Sequence, residues 1–204
     1  MNRDSVFYTI IFTFIVTFAF VLPLTLAEQG TSEMVAKNTE NARRKAVLTA
    51  MDIPFTGDAE AASLFQGVTA REKDGEVLYT YDKGGKTVAA KEFFGMGLWG
   101  TINGILAVNG DVTSTVGLQI IGHNETPGLG GRIDDASFKN QFRGEALKDG
   151  KLKIRSGAEA GGGPVDPGDG VVDGITGATR TTQAMEVIVN REIGDIKKLL
   201  GASR

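Results

Sequence analysis

The run Asp173-Gly174-Ile175-Thr176-Gly177-Ala178-Thr179 sets two hydroxyls around a glycine, the residue types that suit a phosphate seat or an oxygen nucleophile. Gly177 lets the backbone turn sharply and come close to a ligand. Downstream, Met185, Val189, Ile193, Ile196 and Leu200 recur at steps of three or four, which marks one face of a helix over Thr182 to Leu200. Thr179 then lies just before a helix start, where free N–H groups and the helix dipole favour an anion. The same residues also suit an ordinary helix cap, and residue chemistry alone leaves both readings open.

Two further stretches invite a chemical reading. Gly95-Met96-Gly97-Leu98-Trp99-Gly100 matches G-x-G-x-x-G. A dinucleotide fingerprint must open a helix and be followed about 20 positions later by an acid. Here the glycines lead toward a strand with no acid near residue 117, so they are expected instead to free space around Trp99. Glu125-Thr126-Pro127-Gly128-Leu129-Gly130-Gly131 has Pro-Gly at the centre of a type II bend. Taken by itself it reads as a surface turn. Glu125 is expected to brace or hydrogen-bond, and His123 receives no role.

These segments need a scaffold, and the sequence predicts an α+β one with antiparallel strands. Glu76 to Tyr81 reads as a strand closed by Lys83-Gly84-Gly85, with Lys86 to Phe94 as its partner. Thr101 to Val108 and Val112 to Ile121 are expected to form a hairpin through a two-residue Asn109-Gly110 turn at the centre of the sheet. Asp134 to Phe142 predicts a short helix, capped by Asp134 or Asp135, that brings Phe138 and Phe142 together. Lys151 to Arg155 suits another strand, and Gly157 to Gly170 an exposed loop. Residues 31–51 lack Gly and Pro and read as a helix that stops at Asp52-Ile53-Pro54, followed by a polar, loop-rich passage.

Composition narrows the function classes. The chain has 204 residues and a formal charge of −3, with no long basic run to bind nucleic acid. It has no cysteine, so it supplies neither a disulfide nor thiolate ligands for an iron–sulfur cluster. One histidine is too few for a zinc or haem centre built from this chain alone. The 23 residues Ser5 to Ala27 carry no charge and can cross a hydrocarbon core of about 30 Å as a helix. The run exceeds the usual h-region of a cleaved signal peptide. The division expected is a transmembrane anchor over residues 1–30 and a globular domain over 31–204. Arg3 precedes the anchor while Lys37, Arg43, Arg44 and Lys45 follow it, a count that favours a cytoplasmic domain.

Asp173 to Thr179 resembles the flavinylation motif D-x-x-[S/T]-G-A-T of the FMN-binding domain family, found in the C subunit of the Na⁺-translocating NADH:quinone reductase and the G subunit of the Rnf complex. Glu125 to Gly131 is similar to that family's E-T-P-G-L-G block. Gly97-Leu98-Trp99-Gly100 resembles the G-L-W element of the quinone-reductase branch. The resemblance implies FMN joined through a phosphoester to Thr179, placed there by a separate flavin transferase. Thr176, Gly177 and Ala178 would shape the turn at the phosphate, with Trp99, Thr126, Leu129 and Gly130 lying near the flavin. It implies an electron relay between iron–sulfur-bearing and flavin-bearing membrane subunits, within a complex that moves Na⁺ or H⁺. The setting implied is the cytoplasmic membrane of a bacterium or archaeon, crossed once, with the flavin domain on the extracytoplasmic side, opposite to the charge count. An Rnf subunit is the alternative in the same family. An anchored, non-redox module for a noncovalent phosphate ligand is the alternative of another class.

Overall fold

Strands dominate from residue 69 to 122 in the computed structural model, which describes residues 6–73, 75–160, 166 and 168–201. They are β1 (Thr69–Lys73), β2 (Glu76–Asp82), β3 (Thr87–Met96), β4 (Thr101–Asn109) and β5 (Thr115–Gly122), joined as an antiparallel meander in sequence order. A separate parallel pair forms from β6 (Lys153–Arg155) and β7 (Val171–Asp173). The helices are α1 (Val6–Ala50), α2 (Asp58–Phe65), the four-residue α3 (Ala136–Lys139) and α4 (Thr179–Gly201). The α+β class with an antiparallel sheet is thus borne out.

The chain divides into two units, Met1–Asn41 and Ala42–Arg204. In the first, α1 has a stretch long and apolar enough to cross a membrane. Tyr8 stacks with Phe12 at 5.9 Å and Phe14 with Phe18 at 6.2 Å, pairs that helical spacing of four brings together. The apolar stretch and the helix expected over 31–51 form one continuous element. It ends in the second unit, where Asp52 adopts a positive φ of 57° and Ile53 donates its N–H to the Leu48 carbonyl at 2.9 Å. Both are features of a left-handed helix cap.

The sheet of the second unit is covered on both faces. Ala89, Phe93, Ile102 and Leu106 pack against Met185, Ile188, Val189 and Ile193 of α4. Val88, Ala90, Ile105 and Ala107 pack with Val47, Leu48 and Met51 at the end of α1 and with Ala61 of α2. Strand β4 is therefore apolar on both faces, as a sheet between two layers requires.

Several expectations need correction. The passage after Pro54 is not merely loop: it holds α2 and β1. Strand β3, not the β4–β5 hairpin, is central, and β5 lies at the edge of the sheet. Nor do β4 and β5 join through a two-residue turn. The Asn109 side chain accepts hydrogen bonds from the N–H groups of Thr113 and Ser114, which holds a longer connection, and the positive φ falls on Val112. Gly110 is needed for another reason, because a Cβ there would sit 3.0 Å from Thr87. Phe138 and Phe142 do meet edge to face at 5.3 Å, but the segment is one short α-turn flanked by two 3₁₀ turns. Asp135, at its cap position, bonds Arg132 instead of the backbone. Part of the glycine loop expected between Gly157 and Gly170, residues 161–165 and 167, lies outside the described residues.

A charged cluster interrupts the packing of β3 on α4. Lys91, 4% exposed, pairs with Glu192, 1% exposed, at 2.6 Å and with Glu76 at 2.7 Å. Arg191 donates to Glu192 at 2.8 Å and to the Phe94 carbonyl at 2.6 Å. Burial acts to lower the Lys91 pKa, but hydrogen bonds and charge from Glu192 and Glu76 outweigh it and hold the amine above the ordinary lysine value. A raised folded-state value stabilises the fold below the unfolded pKa, near 10.5, and that contribution is lost as pH rises through the folded value. Stability measured by urea unfolding should therefore fall above about pH 10.5, and Lys91→Met should flatten that part of the profile.

Candidate functional site

Three turns that lie far apart in sequence converge on one cleft of about 350 Å³, within the usual range for small-ligand pockets. The first connects β3 to β4 and is closed by a hydrogen bond from the Gly97 N–H to the Gly100 carbonyl at 2.8 Å. It supplies Leu98 and Trp99. The second follows β5, where the Thr126 carbonyl accepts from the N–H groups of Leu129 and Gly131 at 3.1 and 3.0 Å. It supplies Glu125, Thr126, Leu129 and Gly130. The third is the start of α4, where Gly177 has φ 82° and Ala178 donates to the Ile175 carbonyl at 3.0 Å. It supplies Gly177, Ala178, Thr179, Arg180 and Thr181.

Glu125 ties the three together. Its carboxylate is 4% exposed. Oε1 accepts from the N–H groups of Leu98 at 2.8 Å and Trp99 at 3.0 Å, and Oε2 accepts from the Thr181 hydroxyl at 2.5 Å. Room for this side chain exists because two neighbours are glycine. A Cβ on Gly97 would lie 2.4 Å from Oε1, and one on Gly130 would lie 2.7 Å from Oε2 and 2.5 Å from the Thr181 oxygen. His123 contributes from below, its Nδ1 accepting from the Glu125 N–H at 3.1 Å.

The threonines around α4 separate by environment. Thr181 and Thr182 are buried, the first bonded to Glu125 and the second accepting from the Ile175 N–H at 3.2 Å. Thr179 is half-buried on the cleft wall and is the first residue of α4. The first helical hydrogen bond here runs from the Thr182 N–H to the Ala178 carbonyl, so the N–H groups of residues 179 to 181 precede the helix ladder and can serve an anion.

Of the residues singled out in sequence, the cleft gathers Trp99, Thr126, Leu129, Gly130, Gly177, Ala178 and Thr179. Thr176 lines an adjoining hollow with Arg132, Gln141 and Asp173, and its hydroxyl donates to the Ala160 carbonyl at 3.4 Å. Gln141, which carried no sequence signal, braces the segment that leads to Thr179: its amide oxygen accepts from the Asp173 N–H at 2.7 Å and its NH₂ donates to the Asp173 carbonyl at 3.1 Å. The inward setting of Thr181 and Thr182 was readable, since they fall four and three residues before Met185 on the apolar face of α4.

The cleft is apolar at one end and polar at the other. Among the described residues of the second unit, the exposed large apolar side chains are Phe94, Met96, Leu98, Trp99, Leu129 and Val187. Three of them line the cleft, and Phe94 and Met96 lie on the strand that leads into the Trp99 turn. A flat aromatic ligand carrying a phosphate matches this arrangement: apolar walls for the ring, and for the phosphate a hydroxyl among unpaired helix amides.

Residues 97–193 match the FMN-binding domain family, and that segment of the chain belongs to it. Among curated proteins, the chain is 31% identical over 152 residues to the C subunit of the Na⁺-translocating NADH-quinone reductase of Pseudomonas aeruginosa, a match covering 72% of this chain and 58% of that one. It is 29% identical over 173 residues to the corresponding protein of Vibrio vulnificus, covering 84% and 66%. The chain thus spans less than two thirds of the length of these relatives. Its fold matches the crystal structure of the C subunit from Parabacteroides distasonis with a TM-score of 0.66 at 22% identity, over 81% of this chain and 95% of that one. It matches NqrC of Shewanella oneidensis with a TM-score of 0.65 at 22% identity, over 82% and 99%.

Proposed function

We propose that this chain is a membrane-anchored electron-transfer subunit of the NqrC type in an ion-translocating NADH:quinone reductase, carrying FMN as a phosphoester on Thr179. The observation that carries this reading is the accessible Thr179 hydroxyl at the first turn of α4, on the wall of a cleft faced by Trp99, Leu98 and Leu129. In the attachment step, the Thr179 oxygen attacks the phosphorus of the FMN half of FAD. The diphosphate P–O bond breaks, AMP departs, and the hydroxyl proton passes to a base of the flavin transferase that performs the reaction. The free N–H groups of the first turn then face the phosphodiester anion, and the ester prevents loss of the group.

When bound, the flavin supplies reversible electron transfer. The chain's own residues would bind and orient it: Trp99, Leu98 and Leu129 would wall the ring, and Gly177 would bring the backbone close. An iron–sulfur donor or acceptor would lie on partners, since this chain has no cysteine for a cluster. Those partners are iron–sulfur-bearing and flavin-bearing membrane subunits of a complex that moves Na⁺ or H⁺. The relatives named above favour the quinone-reductase complex over the Rnf one. The apolar stretch of α1 anchors the chain in lipid, with the flavin domain on the extracytoplasmic side. Protein extracted from its native membrane and run on a denaturing gel should fluoresce under ultraviolet light. A dark band of unmodified mass would overturn the proposal.

A further inference from the structure

Glu125 stands out among the groups on the cleft wall because it is buried, charged and held by neutral donors alone: two backbone N–H groups and a hydroxyl. These donors lie 26, 27 and 56 residues away in sequence. One belongs to the helix that carries Thr179, the other two to the turn that carries Trp99. A carboxyl group can serve all of them because it has two oxygens, each with two acceptor sites. An amide in the same place offers one acceptor oxygen and turns donors toward the other arm. Gly97 and Gly130 keep the space into which the carboxylate fits.

We propose that Glu125 is a positioning residue, a three-pronged clamp that fixes the Trp99 wall of the cleft relative to the first turn of α4. Its purpose rests on the reading of the cleft as the flavin's seat; its measurement does not. With the clamp intact, the distance and tilt between ring wall and attachment point are set before any ligand arrives, which lowers the ordering cost of binding. Without it, the glycine-flanked Trp99 turn keeps only its own Gly97–Gly100 hydrogen bond and moves independently of the helix.

Trp99 is the sole tryptophan, so its fluorescence reports this wall alone. In the full chain carrying Thr179→Val, and hence without flavin, time-resolved anisotropy of Trp99 should show the amplitude of fast motion rising about twofold in Glu125→Ala. Glu125→Gln and Thr181→Val, which leave part of the clamp, should give smaller rises. Ile196→Val truncates the core near the far end of α4 and controls for general loss of stability; it should leave Trp99 unchanged. A response of Glu125→Ala no larger than that of Ile196→Val overturns the clamp. If Glu125→Ala does not fold, the clamp is equally overturned when both Glu125→Gln and Thr181→Val match the control. Intact mass of the same samples keeps the two ideas apart, because flavin retained after Thr179→Val counts against the acceptor assignment and not against the clamp.

Discussion

Thr179→Val should abolish the proposed covalent flavin, read as complete loss of both the mass increment and the fluorescent band, in chain co-produced with a flavin transferase. Valine keeps the shape of threonine and removes only the oxygen, and residue 179 is half-buried at a helix start, so the fold should lose no more than about 1 kcal/mol. Loss of flavin without loss of fold is the diagnostic pair. The neighbours supply the contrast. Thr181 and Thr182 are buried and engaged in hydrogen bonds, so neither oxygen can reach a phosphorus atom held by another enzyme. Thr176 is exposed but faces the adjoining hollow, and Thr176→Val should keep the increment. An increment that survives Thr179→Val would sink the assignment.

Glu192→Ala should cost about 3–5 kcal/mol of stability, a large share of the 5–15 kcal/mol typical of a domain. The reason is the partner left behind. Lys91 is buried on the α4 side of β3, and without Glu192 its ammonium keeps only Glu76, whose side chain is half in solvent. Arg191 loses a partner too, but from the surface, where the loss is small. Urea unfolding should show the midpoint falling sharply with little change in slope. The double variant Lys91→Met, Glu192→Leu should recover most of the stability, because apolar residues of similar volume need no charge partner. A midpoint for Glu192→Ala equal to the parent's would mean that the pair does not hold β3 on α4.

What could be read from the sequence follows from where physical signals are local. The α4 face, the β2–β3 pair and the stop of α1 before Pro54 rest on periodicity and breakers, and all were legible. The buried pair went unread, although Glu192 interrupts the apolar row Val189, Ile193, Ile196, and Lys91 alternates with Ala89 and Phe93. Strand β1 was not legible: Thr69-Ala70-Arg71-Glu72-Lys73 is exposed at every position and becomes a strand only because β2 offers it an edge to pair with. Helix α2 buries Ala61 alone, too little to mark a face. Strand β7 is three residues held beside β6 by tertiary packing. Within the cleft, the three sequence blocks named most of the lining, while the part played by Glu125 depended on which loops meet, and no spacing within one segment encodes that.

The two glycines beside Glu125 make the cleft resistant to piecemeal change. A methyl at position 97 and a methyl at position 130 would press on opposite oxygens of one carboxylate, so two loops distant in sequence share one steric neighbour. Each methyl would also meet a second neighbour, Ile102 at position 97 and the Thr181 oxygen at position 130, so a change at residue 125 alone relieves neither site fully. Paired substitutions across the two loops should therefore depart from the sum of the single ones.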